Sequence, residues 1–396
     1  MPLDGSNTEV TFTLDGHDVT AQPGESIWQV AQREGTDIPH LCYAPEPGYA
    51  ADGNCRACMV EVEGERTLAA SCIRQPTEGM VVNTATERAE SSRRMVFELL
   101  VADQPPRDQA HDGGSKFWQW ADRLGVEDSR FPARLTPGPD ISHPAMAVNL
   151  DACINCTLCV RACRDVQVND LIGMANRGAD SKIVFDFDDP MGNSTCVACG
   201  ECVQACPTGA LLPATVIAPE GRVQPDRRVD SLCPYCGVGC QLTYNIKDDK
   251  LLFVEGRDGP SNHNRLCVKG RFGFDYIHHP HRLTKPLIRK EGVAKDPAIQ
   301  LDPANPLEYF REATWDEALD LAASGLKKVI DERGGNALAG FGSAKGSNEE
   351  AYLFQKLVRT GFHTNNVDHC TRLCHASSVA ALMETVNSGA VSAPFY

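Results

Sequence analysis

Residues 9–21, EVTFTLDGHDVTA, alternate apolar and polar side chains on either side of Asp15-Gly16, a turn dipeptide, and so predict a β-hairpin. Over 25–34, ESIWQVAQRE, the spacing changes to that of a helix with Ile27, Val30 and Ala31 on one side. Short strands are expected at Met59 to Val62 and Met80 to Val82. An amphipathic helix is expected over 87–102, ERAESSRRMVFELLVA. Prolines between Pro132 and Pro144 mark an irregular connector, and Pro213, Pro219 and Pro225 mark a second link. Beyond it the texture becomes α/β: helical over 315–333, strand-like over 337–342, and helical again over 347–360 with Ser347 or Asn348 as N-cap.

This patterning describes several small modules, and the composition gives them a chemistry. The 396 residues include 18 cysteines. Disulfides need an oxidising compartment, yet the first ten residues, MPLDGSNTEV, have neither the basic region nor the apolar core of a leader. No apolar run approaches the roughly 20 residues that span a bilayer. A cytoplasmic protein with reduced or metal-bound thiols is the expectation. A balance of 38 basic against 53 acidic residues, formally -15, argues against a nucleic-acid partner, which requires a positive face.

The cysteines fall in separated groups. Cys153, Cys156, Cys159 and Cys163 form a C-x2-C-x2-C-x3-C run, repeated by Cys196, Cys199, Cys202 and Cys206 ahead of Pro207. In such a doubled run the fourth cysteine of each ligates the other cluster, which predicts two [4Fe-4S] centres: Cys153, Cys156, Cys159 with Cys206, and Cys196, Cys199, Cys202 with Cys163. Paired zinc sites are the alternative, because C-x2-C alone also suits tetrahedral Zn²⁺. Cys42, Cys55, Cys58 and Cys72, spaced C-x12-C-x2-C-x13-C around a glycine-bearing loop before a strand, suit a [2Fe-2S] cluster in a β-grasp ferredoxin domain, with zinc again the alternative. A last group is Cys233-Pro-Tyr-Cys236-Gly-Val-Gly-Cys240, followed by Cys267-Val-Lys269-Gly270.

Here the motifs resemble a known family. C-P-Y-C-G-V-G-C followed by C-V-K-G is similar to the [4Fe-4S] domain of the molybdenum or tungsten bis-pyranopterin oxidoreductases, which include formate dehydrogenase and nitrate reductase. The resemblance implies a third [4Fe-4S] cluster on Cys233, Cys236, Cys240 and Cys267, with Lys269 as electron relay between cluster and pterin. The two remaining cysteines lie in N-N-V-D-H-C-T-R-L-C-H, 365–375, which resembles the formate dehydrogenase active-site segment. That implies Cys374 as metal ligand and His375 as second-shell or proton-handling neighbour, while Cys370 reads as a buried small hydrophobe. A soft thiolate suits a metal that cycles its oxidation state. The turn carrying Lys345 and Gly346, after an apolar strand and opening a helix, can set backbone amides against the pyrophosphate of the pterin nucleotide. An ordinary strand-to-helix turn would look the same. The [2Fe-2S] head resembles that of large NADH-linked oxidoreductase subunits.

As a whole the chain resembles the catalytic subunit of cytoplasmic NAD-dependent formate dehydrogenases. The fold expected is α+β multidomain: a β-grasp [2Fe-2S] ferredoxin domain (1–86), a helical connector (87–145), a two-cluster bacterial ferredoxin-like domain (146–220), a small [4Fe-4S] domain (226–283) and the start of an α/β molybdopterin domain (284–396). The implied cofactors are one [2Fe-2S], three [4Fe-4S] and a Mo or W bis-molybdopterin guanine dinucleotide. The implied partners are formate or carbon dioxide and flavin- and Fe-S-containing NADH dehydrogenase-like subunits. Two departures stand out. Relatives such as the large iron-sulfur subunit of complex I carry a His plus three Cys cluster between the head and the paired runs, whereas Cys72 to Cys153 contains no cysteine, and His111 reads as a surface residue. The family's catalytic domain also needs several hundred residues more to enclose its pterins. A non-catalytic electron-wiring subunit and a cytoplasmic nitrate reductase are the competing readings.

Overall fold

The structure, a computed structural model, describes residues 9–133, 138–218, 221–343, 345–370, 372 and 375–386. The chain divides into two compact units, Met1–Asp226 and Arg227–Tyr396.

The first unit opens with the expected hairpin, β1 (Val10–Leu14) and β2 (His17–Ala21), in register from Val10 opposite Ala21 to Leu14 opposite His17. Asp15 and Gly16 both take positive φ, 48° and 84°, which gives the tight turn a twist matching the strands. Helix α1 (Ile27–Arg33) starts at Ser26, whose hydroxyl accepts from the Gln29 amide while the Gln29 side chain accepts from the Ser26 amide. This reciprocal cap satisfies two otherwise orphaned donors. Strands β3 (Met59–Val62), β4 (Ala69–Ala70) and β5 (Val81–Asn83) complete a sheet of order β2-β1-β5-β3-β4. β1 and β5 run parallel, and the other pairs are antiparallel. Phe12, Leu14, Ile27, Trp28, Val30, Val60 and Val82 fill the space between sheet and helix.

Helix α2 has the predicted limits, Glu87–Ala102, with Thr86 as N-cap. The stretch after the head is not a free connector, however. Buried Arg93 donates to Met59 O at 2.9 Å, fixing α2 to β3. Phe97 and Val101 pack with Phe117, Trp118 and Trp120 of α3 (Lys116–Leu124) and with Leu41 and Ala57 of the head. The patterning finds the helices, but only tertiary contact shows that their aromatic face closes the floor of the head module. β6 (Met146–Val148) then pairs with β9 (Leu211–Pro213), which brings together the ends of the segment carrying both cysteine runs. Between them lie α4 (Leu158–Arg161), a hairpin of β7 (Ile172–Ala175) and β8 (Lys182–Phe185), and α5 (Glu201–Ala205). A short pair, β10 (Ile217–Ala218) and β11 (Gly221–Arg222), ends the unit.

The second unit begins with an antiparallel sheet of β12 (Arg227–Leu232), β13 (Gln241–Lys247) and β14 (Lys250–Gly256), followed by α6 (Val268–Phe272). A pair of β15 (Leu287–Arg289) and β16 (Phe310–Glu312) precedes α7, which spans Trp315–Arg333 as predicted. β17 (Gly340–Gly342) and β18 (Val367–His369) are parallel and joined through α8 (Asn348–Lys356). The strand is shorter than the expected 337–342, because residues 335–337 form a 3-10 turn. The helix expected to reach 360 gives way at Leu357 to a π-turn over Leu357–Gly361. Ser347 is its N-cap, in a capping box with Glu350. Helix α9 (Ala376–Val386) ends the described residues. Among these, no helix is long and apolar enough to cross a membrane.

Phe12 is 1% exposed and lies at the centre of the head core. Phe12→Ala should destabilise the head by about 3–5 kcal/mol, seen as a lower denaturant midpoint for loss of the visible [2Fe-2S] absorbance. A change below about 1 kcal/mol would contradict this packing.

Candidate metal centres

Each cysteine run folds the same way. In the first, Asn155 and Thr157 take φ of 54° and 62°; in the second, the equivalent Ala198 and Gly200 take 55° and 71°. These left-handed residues flank Cys156 and Cys199 and turn the backbone so that amides point inward. Asn155 N donates to Cys153 Sγ at 3.4 Å and Ala198 N to Cys196 Sγ at 3.3 Å. The head repeats the device, with Arg56 at φ 58° and Ala57 N donating to Cys55 Sγ at 3.5 Å. Gly200 and Asn155 are residue types that favour such a conformation, whereas Thr157, Ala198 and Arg56 are not, so spacing alone did not reveal the repeat.

Cys153, Cys156, Cys159 and Cys206 line one cavity, with Ile154, Ile183 and Pro207 among its apolar walls. Burial and the neighbouring thiols, Cys206 first among them for Cys156, push the Cys156 thiol up, and Cys159 is driven well up by the same causes. Cys196 is raised by burial, with Cys199 and Cys163 also acting on it. Cys206 of the second run thus shares a cavity with three thiols of the first. In the head, the Cys42 thiol is held down at about 2 by hydrogen bonds from Cys55 and Cys72, which are themselves pushed up. Cys58 is lowered to about 7 by its bond with Cys72. Cys233, Cys236, Cys240 and Cys267 gather in the second unit, where burial ahead of the other three thiols lifts Cys240 to about 11.

None of the described cysteines forms a disulfide. Nor, among the described residues, do three or more His, Cys, Asp or Glu side chains converge as a single-ion site. Four-thiol sets at these spacings, with amides donating to the sulfurs, fit an iron-sulfur cluster.

Arg161, 2% exposed, joins two of these sets. Its Nη2 donates to Cys42 O at 2.6 Å and to Cys156 O at 3.0 Å, its Nη1 donates to Ala50 O, and its Nε pairs with Asp52 at 3.1 Å. Asn54 Nδ2 adds a bond to Cys156 O at 3.4 Å, and Tyr49 OH one to Glu201 at 3.0 Å. Cys42, Cys156 and Leu158 share one apolar cluster, with Cys55 and Ile154 packed against it. An arginine within a cysteine-rich apolar run was the signal available for Arg161; Asn54 and Tyr49 offered none.

Lys269 extends its ammonium over the Tyr235 ring, 5.6 Å from the centroid, beside the Cys233–Cys236 loop. Gly270 packs beside that loop: a Cβ there would stand in ordinary contact with Cys233 Sγ at 3.5 Å and Leu266 at 3.4 Å. Gly342, Lys345, Gly346, Ser347, Asp368 and His369 line a pocket at the carboxyl ends of β17 and β18. Such an end of parallel strands is the usual ligand position in α/β sheets. Lys345 is exposed, and its amide donates to Ser343 Oγ at 3.1 Å. The Ser347 amide is already taken by Glu350, at 2.6 Å. Cys374 lies outside the described residues; His375 carries a buried Nδ1 with no hydrogen-bond partner, an atom that fits a bound group. Two expectations are corrected. Cys370 is exposed rather than a core thiol, because it sits in the turn just after the short edge of β18. His111 is half-buried rather than on the surface, held by the Asp151 carboxylate at 2.8 Å.

Comparison with known families gives one answer for each module. The model of the 2Fe-2S iron-sulfur cluster binding domain matches residues 7–87, and that of the 4Fe-4S dicluster domain matches 152–210. The molybdopterin oxidoreductase Fe4S4 domain matches 226–279, and the molybdopterin oxidoreductase domain itself 282–395. The chain carries iron-sulfur modules and a molybdopterin oxidoreductase module. It is 31% identical to a "putative formate dehydrogenase" of Staphylococcus haemolyticus, over 95% of this chain and 40% of that protein. A protein of the same description from Staphylococcus aureus strain USA300 is 29% identical over 96% of this chain and 41% of its own. The chain thus spans about two fifths of the length of these curated relatives. A crystal structure of an NAD+-reducing [NiFe]-hydrogenase in the H2-reduced state aligns with a TM-score of 0.48 at 30% identity, covering 52% of this chain and 87% of that one.

The crossed pairing has a direct consequence. Cys206→Ser should disturb the centre that includes Cys153 and spare the one that includes Cys196, removing about 4 of about 14 irons per chain, as counted by iron analysis and Mössbauer spectroscopy. Loss of the Cys196 centre instead would refute the pairing. Arg161→Met leaves the buried carbonyls of Cys42 and Cys156 without their donor and should cost about 1–3 kcal/mol for each, read as faster bleaching of the head cluster on heating. Unchanged bleaching would show that the guanidinium does not hold the two loops together.

Proposed function

We propose that this chain is the electron-carrying and pterin-entry part of a molybdenum or tungsten formate dehydrogenase. The observation that carries the reading is the pocket formed by Gly342, Lys345, Gly346 and His369 beside the segment N-N-V-D-H-C-T-R-L-C-H, in a chain whose curated relatives bear the formate dehydrogenase description. The reaction would be oxidation of formate to carbon dioxide with release of one proton and two electrons, or its reverse. The bound metal and clusters supply the redox chemistry.

The chain's own residues have separate tasks in this proposal. Cys374 offers the metal a thiolate. His375, with a free Nδ1, takes the proton released from formate. Lys345 and Gly346 hold the pterin nucleotide's phosphates, the lysine as a point charge and the glycine by letting backbone approach. Lys269 bridges from the Cys233 loop toward the pterin, its stem steadied on Tyr235. The ligand sets are those of one [2Fe-2S] and three [4Fe-4S] clusters, with Cys42, Cys55, Cys58 and Cys72 at the end of the wire. The head's likeness to NADH-linked subunits supports a flavin-bearing, NAD-reducing partner there, in the cytoplasm.

In the full-length protein, Cys374→Ser should abolish formate-dependent NAD reduction while iron content is retained. Lys269→Met should keep metal and iron but slow turnover by at least tenfold, about 1.4 kcal/mol in the barrier. Formate oxidation that survives Cys374→Ser would favour a non-catalytic iron-sulfur subunit.

A further inference from the structure

The cysteine-free stretch between Cys72 and Cys153 carries a cation instead of a cluster. Lys116 is the first residue of α3, and two contacts place it between the Cys42 loop and the end of the second cysteine run. The amide of its neighbour Phe117 donates to the carbonyl of Pro207, the residue after Cys206, at 2.9 Å. Its own ammonium donates to His40 Nε2 at 2.6 Å. His40, 8% exposed, stands two residues before Cys42. It donates from Nδ1 to Ile38 O at 3.2 Å, which leaves Nε2 as a lone-pair acceptor. Trp28 packs edge-on to the His40 ring at 4.4 Å, with Trp120 at 6.4 Å on another side. The imidazole is thus a fixed, neutral seat for the ammonium. Glu46, Cys55 of the head set, Asp37 and Cys156 of the first run all act on that ammonium, Glu46 most strongly.

Arg161 lies near the same two sets, but its charge is paired with Asp52 and spent on carbonyls. Lys116 instead meets an imidazole, and Glu46 and Asp37 share its field with the sulfurs of both sets. Each centre gains a negative charge when it accepts an electron, and a nearby cation favours that state.

We propose that Lys116, seated on His40, is a positioning charge that raises the reduction potentials of the two centres it lies between, the [2Fe-2S] of the Cys42 set and the [4Fe-4S] of the Cys153 set. The proposal rests on the cluster reading above.

The test is an anaerobic redox titration of the full-length protein followed by electron paramagnetic resonance, with Lys116→Gln, Lys116→Met and Lys116→Arg beside the wild type. Both neutral variants should keep their iron and both signals. At a fixed poise, the reduced-to-oxidised ratio of these two centres should fall about tenfold, equivalent to about 59 mV for a one-electron couple. The Cys196 and Cys233 centres should hold their potentials, and Lys116→Arg should match the wild type. Unchanged potentials in the neutral variants, or an equal shift in every centre, would overturn the proposal. Loss of a cluster in both neutral variants would also overturn it, by making Lys116 a packing residue. A wild type with neither signal would overturn the cluster reading itself, and the proposal with it.

Discussion

Arg161 binds one loop from the head module and one from the paired-run module through a single guanidinium, and the geometry of the first unit depends on that joint. The carbonyls of Cys42 and Cys156 both point at Nη2, so the backbones that present the two thiol sets approach each other as closely as one planar cation allows. Two carbonyl dipoles at that separation would repel without the cation, and burying them unpaired would cost about 1–3 kcal/mol each. Alanine or leucine packing alone would leave those polar groups unsatisfied, which is why a charged residue sits in an otherwise apolar cluster.

Much of this was legible in the sequence, and the reason differs by element. α2 and α7 have the limits that their amphipathic periodicity predicts, because long helices with Thr86 and Thr314 as caps record their ends locally. The cysteine sets were legible because ligand spacing is itself a local constraint. What escaped is what depends on contact between distant segments. The 87–145 stretch reads as a connector because its partners, Leu41, Ala57 and Met59, lie far back in the chain. The left-handed turns at Thr157 and Ala198 escaped for a different reason: the cluster cradle imposes them on residues whose own preferences do not ask for them. Cys370 was misplaced by an average rule, that free cysteine is usually buried, which says nothing of a turn at a sheet edge.

The second unit shows the same physics with less of it satisfied. β17, α8 and β18 form a complete strand-helix-strand step and so define a pocket, yet the apolar positions Trp315 and Leu319 of α7 stand at 68% and 58% exposure. A helix of that length draws most of its stability from a packed face. Its local signals, the Thr314 cap with acidic Asp316 and Glu317 in the first turn, therefore carry more of the burden than they do in α2, whose Phe97 is fully enclosed.

The thiol sets differ in the same direction, and this bears on how the centres divide their work. Cys42, Cys58 and Cys72 are buried, as are Cys156 and Cys159, whereas Cys236 and Cys267 are exposed. Cluster potential depends on hydrogen bonds to the sulfurs and on solvent exposure. In the buried sets the inward amides and the fixed cations are the only charges able to offset the electron that arrives, so sequence changes there act on potential directly. Residues that would tune such a centre are therefore to be sought in the first unit, in the shell around Cys42 and Cys156.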